Sequence, residues 1–124
     1  MELFGAKLQY EAALKYYKGV PSKGYGKNRS KAFKLFKEAA EAGLVEAMFE
    51  LGRYYYFPIL DYEKAFNYFL YTADKEDDSD IYTNLACAKV TQMYEKGLGT
   101  EINLEKAKYY QEKYMRGLQL LMAK

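Results

Sequence analysis

The chain has 124 residues, enough for one domain that buries about two-thirds of the surface its unfolded form exposes. Half of the residues are hydrophobic and 29% are charged, and 19 Lys+Arg against 17 Asp+Glu leave a net charge of only +2, a globular rather than a disordered composition. The absence of histidine and the single cysteine, Cys87, exclude histidine metal sites, histidine-activated nucleophiles, an internal disulfide and multi-cysteine zinc or iron–sulfur centres.

No apolar run approaches the roughly 18 residues a membrane helix needs. The opening MELFGAKLQYEAALKYYKG has no basic stretch followed by an apolar one, as a secretory signal would. A reducing, cytoplasmic setting is the expectation, with no membrane partner.

Taken in chain order, the apolar periodicity predicts helices near 3–18, 29–42, 45–57, 61–75, 79–96 and 103–122. A long basic loop, GVPSKGYGKN, follows the first of these. The second and third are clearest in KAFKLFKEAAEAG and LVEAMFELGRYY, where Ala32, Phe33, Phe36, Ala39 and Ala40 recur at helical spacing and Gly43 stands at a C-cap position. Ala47, Leu51 and Tyr55 then mark one face of the next helix at steps of four. Phe57-Pro58-Ile59-Leu60 forms a short turn before the fourth helix, the acidic run Asp74 to Asp80 precedes the fifth, and Gly97-Leu98-Gly99 precedes the sixth.

Three segments repeat one signature: Asn28-Arg29-Ser30-Lys31-Ala32, Asp61-Tyr62-Glu63-Lys64-Ala65 and Asn103-Leu104-Glu105-Lys106-Ala107. Each places a good N-cap four residues before a small residue. Tyr16, Tyr55 and Tyr94 recur every 39 residues, a period that belongs to arrays of helix pairs. The run Lys31-Ala32, Leu35-Phe36, Ala39-Ala40, Gly43, Ala47, Leu51-Gly52 and Tyr55, with the glycine turn after Tyr94, resembles the Sel-one-like repeat, a subclass of the tetratricopeptide superfamily. The resemblance implies an all-α, right-handed α-solenoid of three antiparallel helix pairs. It spans a single domain of residues 1–124 with repeat units near 3–43, 44–78 and 79–124. The resemblance further implies an adaptor or scaffold that binds other proteins, since members of this family usually carry no catalysis of their own.

Residues offset from the core positions of the first helix in each pair are expected to line a concave groove that holds a segment of a partner protein. These are Tyr10 and Tyr17 in the first unit, Phe49, Glu50, Arg53 and Tyr56 in the second, and Lys89 and Gln92 in the third. Large aromatics and an arginine outside the core are what binding hot spots are made of. A dedicated bacterial immunity or inhibitor protein that neutralises one toxin is an alternative of the same general kind. A second surface runs from Lys15 to Lys37, where all eight charged residues are positive and tyrosine and phenylalanine interleave. There Lys23, Lys27 and Arg29 form a basic patch that could take nucleic acid, although an acidic protein partner, or no partner at all, explains it more economically.

Chemistry finds little support. The acidic run lacks the spacing of a calcium loop and reads as a solvated connection, with Asp78 or Ser79 capping the next helix. Cys87, between Ala86 and Ala88, reads as a buried, inert thiol. No cofactor, metal or catalytic residue is expected. The chain is expected to be a monomer or to self-associate weakly.

Overall fold

The computed structural model describes residues 2–20 and 26–123. Its regular structure is helical: α1 (Glu2–Lys18), α2 (Arg29–Glu41), α3 (Val45–Tyr56), α4 (Tyr62–Ala73), α5 (Ile81–Lys96) and α6 (Leu104–Met122). The six segments coincide with those predicted from apolar periodicity, with ends displaced by two residues or fewer. Among the described residues no helix is long and apolar enough to cross a membrane. The backbone forms two compact units, Met1–Leu51 and Gly52–Lys124.

The repeated signature builds the same clasp three times. In each, the cap residue's backbone N–H donates to a tyrosine carbonyl at the end of the preceding helix: Asn28 to Tyr16 at 2.8 Å, Asp61 to Tyr55 at 2.7 Å, and Asn103 to Tyr94 at 2.9 Å. The cap side chain in turn accepts the backbone N–H of the lysine three residues on, Lys31, Lys64 or Lys106, at 3.0, 3.1 and 3.0 Å. That lysine's ammonium lies over the ring of the same tyrosine, 4.6 Å from Tyr16, 5.5 Å from Tyr55 and 5.9 Å from Tyr94. Ala32, Ala65 and Ala107, one residue further, are buried and let the two helices approach.

In the first unit, α1 and α2 lie antiparallel. Tyr10 meets Phe36 edge-on at 5.8 Å, and Gln9 donates to Glu38 at 3.3 Å. Ala6, Ala13, Ala32, Phe36 and Ala39 form the seam between alternating small and large side chains. Phe33, on the same helix, is only half-buried and carries Lys37 5.9 Å from its ring centre.

In the second unit, Gly52 provides the close approach: a β-carbon there would stand 2.7 Å from the ring of the fully buried Phe69. The turn before α4 has no glycine, and Leu60 takes the left-handed conformation instead, with φ of 66°. The N-cap of α5 is Asp80, which accepts the N–H of Tyr82 at 2.8 Å. This corrects the expectation for Asp78 or Ser79. Ser79 is drawn away because its own N–H and hydroxyl both donate to Asp77 Oδ1, at 3.0 and 2.6 Å.

The acidic run is also not a freely solvated loop. Lys113, 8% exposed on the inward stripe of α6, donates from Nζ to the carbonyls of Ala73 at 2.6 Å and Lys75 at 2.7 Å. A buried cation thus satisfies carbonyls left over at the C-terminus of α4, where the helix dipole favours positive charge. Asp78 stands 3.8 Å from Lys113 Nζ and 3.7 Å from Arg116 Nε. Tyr110 donates its hydroxyl to Asp74 at 2.6 Å, and Asn84 Nδ2 donates to the Tyr114 carbonyl at 2.8 Å. Gly117 completes the fit, since a β-carbon there would lie 2.5 Å from the Asp78 carbonyl.

Two expectations follow for urea denaturation of the whole chain. Asn103→Ala removes a cap acceptor and should cost roughly 1 kcal/mol, with a similar loss for Asn28→Ala. Lys113→Met keeps the apolar stem but strands the Lys75 carbonyl and leaves that of Ala73 with only the weak Cys87 thiol donor, and should cost about 2–3 kcal/mol, whereas Arg116→Ala, at the exposed end of the network, should cost no more than about 1 kcal/mol. Equal losses for Lys113→Met and Arg116→Ala would refute the buried lock.

Candidate functional site

The residues expected to face a partner fall in both units. In the first, Tyr10, Tyr17 and Glu50 are half-buried. The Tyr10 ring is engaged with Phe36, and Tyr17 lies beneath the Arg29 guanidinium at 4.5 Å. Phe49 departs from expectation: it is 6% exposed and belongs to the core. The reason is the apolar load of α3, whose Ala47, Met48, Phe49 and Leu51 are all buried, more than a single stripe at steps of four can hold. Burying a phenylalanine ring is worth about 1.5–3 kcal/mol, so the helix takes up the wider buried arc.

In the second unit the first helices of consecutive repeats bring two of these residues together. The Lys89 ammonium of α5 lies 5.1 Å from the ring centre of Tyr56 on α3. Tyr56 also meets Tyr62 edge-on at 5.2 Å, which fixes the plane of its ring. Arg53 is exposed one turn before Tyr56, and the half-buried Gln92 stands one turn after Lys89. The result is a partly exposed tyrosine flanked by cationic and amide groups on neighbouring helices.

The basic patch is described only in part. Lys23 lies outside the described residues, as does Tyr25. Lys27 and Arg29 are exposed, Arg29 on Tyr17 and its neighbour Lys31 on Tyr16. No spacing rule singled out these cation–ring pairs, because each joins residues from two helices.

Cys87, Tyr94 and Tyr110 are engaged in the packing of the second unit. The Cys87 thiol is 1% exposed and donates to the Ala73 carbonyl at 3.6 Å. Burial pushes its pKa up to about 11, partly offset by the positive charge of Lys113, so it stays protonated near neutral pH. Burial, followed by the hydrogen bond to Asp74, drives the Tyr110 hydroxyl well above the ordinary tyrosine range. Burial also raises Tyr94, with the Asp74 charge adding to the effect. Among the described residues no three His, Cys, Asp or Glu side chains gather as metal ligands would. Sequence reasoning missed Lys113, although one signal was present. It occupies the Ala107, Tyr110, Lys113, Gly117 stripe, the only charged residue at those inward positions.

Comparison with known proteins agrees with this architecture. The Sel1 repeat family model matches three times, over residues 6–44, 45–77 and 82–113. A curated rat protein, DAP3-binding cell death enhancer 1 of Rattus norvegicus, is 38% identical over 91 residues. The aligned region takes in 72% of this chain but 17% of that protein, so the chain spans a small part of its relative. The three family matches follow the three helix pairs α1/α2, α3/α4 and α5/α6, and the chain belongs to the Sel1 repeat family.

Proposed function

We propose that the chain is a protein-interaction module, an adaptor or scaffold without catalysis of its own, which holds a segment of a partner protein against the exposed sides of its first helices. The observation that carries this reading is the Tyr56–Lys89 pair. It sets an aromatic ring and a cation side by side on the first helices of successive repeats, α3 and α5. Tyrosine and arginine supply large contact area and directed hydrogen bonds at low entropic cost, which is why they dominate binding hot spots. Arg53 and Gln92, one turn away on the same two helices, would orient a bound segment through its backbone or acidic side chains.

Membership of a repeat family supports the same general role, since stacked helix pairs present rows of equivalent side chains. The rat relative is named for binding DAP3, which favours a protein as the partner here without naming it. The proposed contact set is Arg53, Tyr56, Lys89 and Gln92 of the second unit; Phe49, being buried, is not part of it.

The test is affinity capture from lysate, read by mass spectrometry, with wild type beside an Arg53→Ala, Tyr56→Ala, Lys89→Ala variant. A specific protein retained by wild type should be lost by the variant while the melting curve stays within a few degrees. Hot-spot losses of roughly 2 kcal/mol each would abolish capture at ordinary concentrations. An unchanged set of captured proteins would contradict the reading.

A further inference from the structure

The strongest uniform charge on the molecule lies in the first unit, on a face that the proposed function does not use. From Lys15 to Lys37 there is no acidic residue. Of the described cations there, Lys18, Lys27, Arg29, Lys31, Lys34 and Lys37 are exposed, the last four on α2. The helix reaches its acids, Glu38 and Glu41, only at its end.

This order is locally unfavourable. A helix N-terminus carries partial positive charge and favours acids, as in α4 and α6, which place Glu63 and Glu105 in their first turns. No acid stands in the first turn of α2. Lys31, Lys34 and Lys37 also follow one another at steps of three, where like charges repel. The cost falls on one helix of three otherwise equivalent ones, and the acids on that helix, Glu38 and Glu41, stand only in its last turn.

The same face offers a place to bind. An open depression of about 400 Å³ is lined by Asn28, Ser30, Lys31, Lys34, Leu35 and Glu38. Leu35 gives it an apolar contribution, while Glu38 is engaged by Gln9. Arg29 and Lys31 rest on Tyr17 and Tyr16 at 4.5 and 4.6 Å, so two of the cations are already positioned before any partner arrives.

We propose that this face of α2 docks an acidic, Asp- and Glu-rich segment of a partner protein. Charge complementarity selects that chemistry. A single-stranded nucleic acid would also be attracted, but it gains much of its affinity by stacking bases on aromatic faces. Here Tyr16, Tyr17 and Phe33 each have a cation over the ring. The proposal shares the premise of a protein-binding module with the function above but uses none of the α3 and α5 residues, so either can fail alone.

The experiment is fluorescence anisotropy on the full chain with a labelled poly-glutamate peptide and, separately, a single-stranded oligonucleotide of equal charge. The peptide should bind at low salt more tightly than the oligonucleotide. Lys27→Glu, Lys34→Glu, Lys37→Glu should weaken it about tenfold or more, while Tyr56→Ala, Lys89→Ala leaves it unchanged. If the charge-reversed chain loses helicity, Lys34→Gln, Lys37→Gln serves instead. It relieves the repulsion and should keep or raise the melting temperature while still weakening the peptide. Peptide binding that survives these substitutions would overturn the proposal, as would tighter binding of the oligonucleotide or no binding of either probe.

Discussion

A helix pair holds its register only if the start of its second helix is fixed against the end of its first, and in this chain that constraint is met by one clasp used three times. Its parts are a cap N–H donated to a tyrosine carbonyl, a cap side chain that accepts the lysine N–H, and the lysine ammonium over the same tyrosine ring. The two hydrogen bonds satisfy groups that would otherwise be orphaned at the helix ends. The clasp is the part that the three connections share. The three loops differ in length and composition, with one basic, one built on Phe57-Pro58-Ile59-Leu60 and one on Gly97-Leu98-Gly99, yet all return the chain to the same geometry. Loop closure costs grow slowly with length, so a local lock of this kind can tolerate such variation.

The Lys113 network is a second constraint, specific to the second unit. It ties α6 to the end of α4 and to the acidic connection that leads into α5. Burying an ammonium is costly unless its donors are paired, and here two carbonyls and a nearby carboxylate do so. The acidic run is therefore divided in role. Asp74 receives Tyr110, Asp77 receives Ser79, Asp78 faces Lys113 and Arg116, and Asp80 caps α5. Four carboxylates that look alike in sequence act as four different structural contacts.

Much of this fold was legible in the sequence because its signals are local. Apolar steps of three and four placed the helices, and the cap signature placed their starts. The small residues Ala32, Ala39, Ala47 and Gly52 marked the seams, and all of them are buried. What escaped depends on contacts between elements. Phe49 reads as an outward residue if α3 buries one stripe, but the helix buries a wider arc. Asp80 is the cap because Asp77 holds Ser79 while Asp78 faces Lys113 and Arg116. Lys113 would normally be assigned to solvent, and only carbonyls supplied by residues 73 and 75 make its burial possible. The candidate contact residues divide in the same way. Tyr56 and Lys89 come together through one contact between side chains of α3 and α5, whereas Lys23 lies outside the described residues.

If the clasp organises each pair, its hydrogen bonds must be closed in solution for all three repeats despite their different loops. Native-state hydrogen exchange of the Asn28, Asp61 and Asn103 amides measures this directly, because each donates to a tyrosine carbonyl rather than to its own helix. The account predicts protection close to that of amides inside the adjoining helices. Exchange at the rate of exposed loop amides, at any of the three, would show that the loop and not the clasp sets the geometry of that repeat.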